Sequence, residues 1–380
     1  MRPTHPSLRP IVRFSLPVKG LSTALGAACL LLSAAACERD AASRTAPAAD
    51  AKQAAPAPAA DVEVSEQARA MIAPLPDGWA HADDTPALVA LGKALYFDKR
   101  LSKNHDVSCN SCHDLARFGV DNEPTSPGHQ GQRGDRNSPT VFNAAGQFAQ
   151  FWDGRASDVE EQAIGPILNP IEMAMPDEAQ VLKVLGSMPG YVEMFAKAFP
   201  KEKAPLTYKN VGVAIGAFER KLATPCAVDR YLKGDTTALT AAEKRGWNTF
   251  ASVGCTACHN GALVGGGMYQ KAGLVKPWPS TEDKGRAVVT HNEDEAFFFK
   301  VPTLRNIAKT GPYFHDGSVA SLEEAVKVMA NHQLGRTLTK EEVTDIVAFL
   351  GALTGEPPAA LTAAPELPAS TDATPPPDPS

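Results

Sequence analysis

The chain carries the pattern Cys-x-x-Cys-His twice, at Cys109-Asn110-Ser111-Cys112-His113 and at Cys255-Thr256-Ala257-Cys258-His259. Two thiols at this spacing can add to the two vinyl groups of one haem while the adjacent imidazole reaches its iron, so each copy points to a covalently attached c-type haem. With 7 Cys and 9 His in 380 residues, chance assembly of even one copy is rare. A structural zinc site or a pair of redox dithiols would leave unexplained why His follows the second Cys both times.

The two ends read differently from the middle. Arg2, Arg9, Arg13 and Lys19 precede an uncharged Leu/Ala-rich run from Leu21 to Ala36, too short for a comfortable membrane span. Residues 1–36 therefore read as an export signal, and the mature protein is expected outside the cytoplasm, in a bacterial periplasm. Cys37 follows three alanines and is a candidate lipid-bearing first residue, although the usual Leu three places earlier is missing; ordinary signal-peptidase cleavage nearby is the competing reading. Residues 37–61 are Ala/Pro-rich and read as a flexible tether, and the Pro-rich residues 355–380 as a disordered tail. A formal charge of -6 with no long basic stretch beyond the leader excludes nucleic-acid binding and is compatible with small redox proteins as partners.

The body between the ends reads as mostly α, two cytochrome c-like haem domains with long loops, at 62–235 and 236–354. Helical spacing of apolar residues predicts helices over Ser65 to Ala73, from Pro86 toward Phe97 behind a Thr85 cap, over Val181 to Leu185, Tyr191 to Phe199 and Tyr208 to Ala223, where Pro225 stops the last. Capping boxes at Thr240/Glu243 and Thr339/Glu342 open helices on either side of the second motif, and Leu322 to Ala330 is a further helix. Ala296 to Val301 is the one short strand expected. The apolar positions are too few for large cores, so each porphyrin must itself supply buried surface. Cys226 reads as a small buried residue, with a disulfide-linked dimer as the other possibility.

His113 and His259 supply one axial ligand each, and the chemistry depends on the opposite faces. The residues leave two candidates for each: His129 or His105 for the first haem, Met329 or Met268 for the second. His129 lies in a Gly-flanked loop suited to an imidazole bound in one state and released in another.

Longer strings narrow this. His129-Gln130-Gly131, Gly134-Asp135-Arg136-Asn137-Ser138-Pro139-Thr140, Gln150-Phe151-Trp152-Asp153-Gly154-Arg155-Ala156 and Asn169-Pro170-Ile171-Glu172-Met173 resemble the bacterial dihaem cytochrome c peroxidase family. So do Val301-Pro302-Thr303-Leu304-Arg305-Asn306 and Gly311-Pro312-Tyr313-Phe314-His315-Asp316-Gly317-Ser318, and the resemblance covers roughly Asp83 to Thr354. It implies a low-potential peroxidatic haem held by His113 and a releasable His129, and a high-potential haem held by His259 and Met329. A MauG-like relative would be expected to offer Tyr in place of Met329. The resemblance further implies Glu172 as the acid/base toward hydrogen peroxide, Gln162 as its hydrogen-bonding neighbour and Trp152 between the haems. It implies calcium between the domains at Asn137, Thr310 and Pro312, a homodimer, and a small cytochrome c or cupredoxin as electron donor. In much of the family one electron must enter before the distal histidine leaves, and the intact His129 loop favours that behaviour here. The rival functions are a dihaem electron carrier without peroxide chemistry and a MauG-like oxidase.

Overall fold

The computed structural model describes residues 62–380; the export signal, Cys37 and the tether lie outside the described residues. The described chain is mostly helical. In order run α1 (Glu66–Ala70), α2 (Pro86–Phe97), α3 (Cys109–Cys112), α4 (Val159–Leu168), α5 (Glu178–Gly186), α6 (Pro189–Ala198), α7 (Tyr208–Glu219) and α8 (Ala227–Leu232). There follow α9 (Ala241–Val253), α10 (Ala287–Thr290), α11 (Leu322–Leu334), α12 (Lys340–Ala352) and α13 (Ala359–Thr362). Strands β1 (Tyr269–Lys271) and β2 (Phe298–Lys300) form one antiparallel pair with Gln270 opposite Phe299, a shorter version of the expected strand.

Local chemistry sets most of these boundaries. The Thr85 hydroxyl accepts the Leu88 N–H and Pro86 stands at the first turn of α2. Both capping boxes form, at Thr240 with Glu243 and at Thr339 with Glu342. Helix α7 is shorter than its apolar spacing predicts, ending at Glu219. The next residue, Arg220, is buried and committed to Asp84 and Glu160, and the Asn143 side chain then captures the Thr224 N–H. These side chains compete with continued helix. Helices α4 and α8 are not announced by an apolar period; α4 starts because the Asp158 carboxylate accepts the Glu161 N–H.

Each haem motif sits beside one crossing of two helices. Helix α2 packs on α7 and α9 on α12, and a glycine permits each approach. A Cβ on Gly92 would lie 1.8 Å from the Ala214 carbonyl oxygen, and one on Gly246 1.8 Å from that of Asp345. The first crossing buries Leu91, Leu95, Ile215 and Phe218; the second buries Trp247, Phe250, Phe349 and Leu350, with the Trp247 and Phe349 rings stacked at 5.4 Å.

The two cores do not part at residue 235. Val64, Ala68 and Ile72, around α1, join the second core, together with Cys226, Val228 and Tyr231. Cys226 is 2 % exposed and its sulfur accepts a hydrogen bond from Arg305, which rules out a surface disulfide in this conformation.

Residues 355–380, expected to be disordered, instead lie as a strap along the first core. Leu361 and Leu367 pack against that core, Lys93 donates to the Ala360 carbonyl, and Arg100 donates to the Pro368 carbonyl and the Ser370 hydroxyl. Composition missed this because a proline-rich strand needs no partner strand. Its preset φ angles leave little backbone entropy to lose, and its carbonyls are satisfied by basic side chains of the body.

Candidate functional site

The first motif opens into a cleft with about 1200 Å³ of free space, mouth included. Its walls bring together Cys109, Cys112 and His113 with Trp152, Gln162 and Glu172. Helix α3 carries both thiols and His113 closes it. The Nδ1 of His113 lies 2.9 Å from the Pro139 carbonyl oxygen. A carbonyl can only accept, so Nδ1 carries the proton and Nε2 keeps its lone pair, the tautomer an axial ligand requires. Burial pushes the Cys109 thiol well up and that of Cys112 up to about 11.

Gln162 reaches the cleft from α4. Glu172 comes from the turn after α4, where its N–H donates to the Asn169 carbonyl at 3.0 Å. Burial raises its carboxyl above the ordinary range, against the opposing charge of Arg155, which also lines the cleft. Among the other lining residues, Arg155 was quoted in a family string without a role and Glu219 went unread. Glu219 is 4 % exposed at the end of α7, and burial pushes its carboxyl up to about 8, with Glu160 adding to the shift. A charged residue ending an otherwise apolar helix face, inside Ala217-Phe218-Glu219-Arg220, was the available signal.

His129 is placed beside this cleft and not among its lining residues. Its N–H donates to the Glu172 carbonyl at 2.8 Å, and its Nε2 lies 3.1 Å from a main-chain oxygen of Ser380. Gly128 makes the approach possible, since a Cβ there would meet the Ile171 oxygen at 2.1 Å. His105 does not line the cleft either and sits in a turn with φ 54°.

The second motif opens into a more apolar cleft with about 1250 Å³ of free space. Cys255, Cys258 and His259 line it, and so does Met329 from α11, whereas Met268 is 37 % exposed and is not part of its walls. His259 is pushed down to about 4 by burial, which keeps its ring neutral, and its Nδ1 faces the Val264 carbonyl at 3.3 Å. Among the described residues no group of three or more His, Cys, Asp or Glu converges as a metal site, and the two motifs line separate clefts.

A third, smaller cavity is lined by Asn137, Thr310 and Pro312. Asn137 is 8 % exposed and its amide nitrogen donates to the Glu123 carbonyl at 3.0 Å, leaving the side-chain oxygen as the atom available to a cation. Trp152 belongs to the walls of all three cavities. Its indole N–H donates to the Asn137 carbonyl at 2.9 Å, and its own carbonyl accepts the Lys300 N–H at 2.7 Å. Lys300 is 5 % exposed, lines the second and third cavities and is pushed down to about 7 by burial. Its run, Ala296 to Val301, drew attention only as a strand.

Comparison with known proteins follows the same lines. Residues 86–237 match the family model described as di-haem cytochrome c peroxidase. The chain is 47 % identical over 318 residues to the cytochrome c551 peroxidase of Pseudomonas aeruginosa, covering 82 % of this chain and 91 % of that one. It is 36 % identical to the methylamine utilization protein MauG of Methylorubrum extorquens, covering 75 % of this chain and 82 % of that one. The crystal structure of a MauG-like protein associated with microbial copper homeostasis superposes with a TM-score of 0.66 at 28 % identity, covering 77 % of this chain and 95 % of that one.

Proposed function

Because this chain belongs to the di-haem cytochrome c peroxidase family, we propose that its first cleft is where hydrogen peroxide is reduced to water, and its second where electrons from a small redox protein enter. The activity is that of a cytochrome c peroxidase. The observation that carries the assignment of clefts is the meeting of Glu172, Gln162 and Arg155 with His113 in the walls of the first, while the second offers Met329 and mostly apolar walls.

When bound, a c-type haem supplies the redox-active iron in each cleft. His113 and His259 would hold the two haems through Nε2, and Met329, in the walls of the same cleft as His259, would help hold the second. Ligation by His together with a thioether would raise the potential of that haem, which suits an electron-receiving site. Conversion of one peroxide to two waters consumes two protons and two electrons. Glu172, raised by burial, can take a proton from the nearer peroxide oxygen and return it to the departing one. Gln162 offers an amide to the same substrate, and Arg155 balances Glu172 when it ionises. Trp152, shared by both clefts, closes the path between them to water and shortens it for an electron. Met329 favours this reading over a MauG-like oxidase, which would call for Tyr there.

The third cavity takes calcium through the Asn137 side chain and the Thr310 and Pro312 carbonyls, an oxygen-only set this hard cation prefers. The basic and then apolar leader supports export to the periplasm, with Cys37 as the candidate lipid-bearing residue; the intact mass of the mature N-terminus decides. The family resemblance supports a homodimer, which sedimentation of the full chain tests.

Steady-state peroxide consumption with a reduced small cytochrome c or cupredoxin tests the function. Turnover well above that of free haem is expected, and none above that background would leave only an electron carrier.

A further inference from the structure

Resting on the reading that each cleft seats one haem, we propose that two buried charges of opposite sign set the haems apart in potential, beyond what their ligands do: Lys300 in the walls of the second cleft and Asp121 on the loop that follows the first motif. Lys300 is 5 % exposed, and its ammonium donates to the amide oxygen of Gln147, a neutral group. Burial pushes this lysine down, and Asp153, whose charge acts against that, is already held by Arg136 and Arg155. Asp121 is 9 % exposed. One of its carboxylate oxygens accepts the Glu123 N–H at 2.9 Å, and the other is buried with no hydrogen-bond partner among the described residues. Its charge reaches the first motif: burial pushes His113 down and Cys112 up, and Asp121 acts against the one shift and with the other.

A buried charge without a counter-ion costs stability, so packing alone accounts for neither residue. Reduction adds one electron to an iron site. A positive charge nearby therefore favours the reduced state and a negative one the oxidised state, more strongly in a protein interior than in water. Lys300 draws an electron arriving from the donor protein toward the second cleft, and Asp121 keeps it from the first. Both charges act in one direction on the difference between the clefts. The main chain holds each in place. Lys300 ends β2 between Phe299 and Val301, which line the second cleft with it, and its N–H donates to the carbonyl of Trp152, the residue shared by both clefts. Beside Asp121, the Gly119 N–H donates to the Asp114 carbonyl at 2.8 Å, and the Asn122 amide donates to the Gly311 carbonyl at 2.8 Å.

The experiment is a redox titration of full-length holoprotein at pH 6, where Lys300, pushed down to about 7 by burial, carries its charge. Absorbance follows both haems, and electron paramagnetic resonance tells the ferric signal of the Met329-side haem from that of the His113-side haem. A buried unit charge moves a neighbouring one-electron equilibrium by about 3- to 30-fold, roughly 30 to 90 mV at about 59 mV per tenfold. Lys300→Met is expected to lower the Met329-side potential by that factor and Lys300→Arg to restore it. Asp121→Asn is expected to raise the His113-side potential, each variant moving its own haem more than the other. Should either neutral variant not hold both haems, Lys300→Gln and Asp121→Ser take their place. Potentials that stay put, or that move equally at both haems, would overturn the proposal. Peroxide turnover of the parent chain, measured alongside, separates the two readings: turnover with unmoved potentials sinks the charge pair alone, and no turnover with shifted potentials sinks the peroxidase assignment while upholding the charge pair.

Discussion

Glu172 and Glu219 line the same cleft, both with carboxyls raised by burial, yet they answer to different experiments. If Glu172 carries the proton as proposed, Glu172→Gln is expected to cut peroxide turnover by about 10²- to 10⁴-fold while both haems stay attached, measured by steady-state kinetics and haem absorbance. Glu219 bears instead on stability. Its folded value near 8 lies above the ordinary 4.5, so its contribution to stability is complete below pH 4.5, is lost progressively as pH rises, and levels off above 8. The span is on the order of 5 kcal/mol. Glu219→Gln should flatten this dependence, gaining on the parent between pH 5 and 8 in urea unfolding of the holoprotein; parallel slopes would show that Glu219 is not held neutral. Cys109, His113, Cys255 and His259 were legible because covalent chemistry fixes their spacing in the chain. Glu219 left only a weak mark, a charge at the end of an apolar helix face, and the places of Arg155 and Lys300 in the cavity walls left none, since their burial depends on partners distant in the chain.

Helices that begin at a capping side chain were legible to within a residue, as at Thr85, Thr240 and Thr339, because the cap is a local contact. Helix ends set by distant partners were not, as where Arg220 leaves α7 for Asp84 and Glu160. The tightest tertiary demand falls on glycines in the middle of helices, where propensity alone would disfavour them. Gly246→Ala places a methyl where the Asp345 carbonyl stands and must push α9 off α12. A loss of about 1–3 kcal/mol is expected in denaturant unfolding, although alanine is the better helix former; a neutral or stabilising result would mean that the crossing is looser than described. The matched glycine on α2 predicts the same outcome for Gly92→Ala, and the pair is the clearest structural mark of the repeat first visible as two motifs.

Across the whole molecule the halves are laced together. Helix α1 and α8 serve the second core, the strap serves the first, and Arg136, held by Asp153 of its own region at 2.5 Å, reaches Asp283 of the other at 2.7 Å. Calcium at Asn137, Thr310 and Pro312 would add to this lacing beside Trp152. Treating holoprotein with a calcium chelator should lower turnover several-fold and readdition of calcium should restore it, with magnesium ineffective because its smaller octahedral shell does not match a site of carbonyls and one amide. Turnover indifferent to chelation would remove the metal from the reading. Chemistry that depends on neighbours in the chain could be read from order alone: the attachment motifs, the caps, the mostly helical class and, through its strings, the family. Which core each end joins, that a proline-rich tail docks, and that His129 turns its ring toward Ser380 were decided only in three dimensions, because these contacts join residues as much as 251 positions apart whose pairing no local pattern encodes.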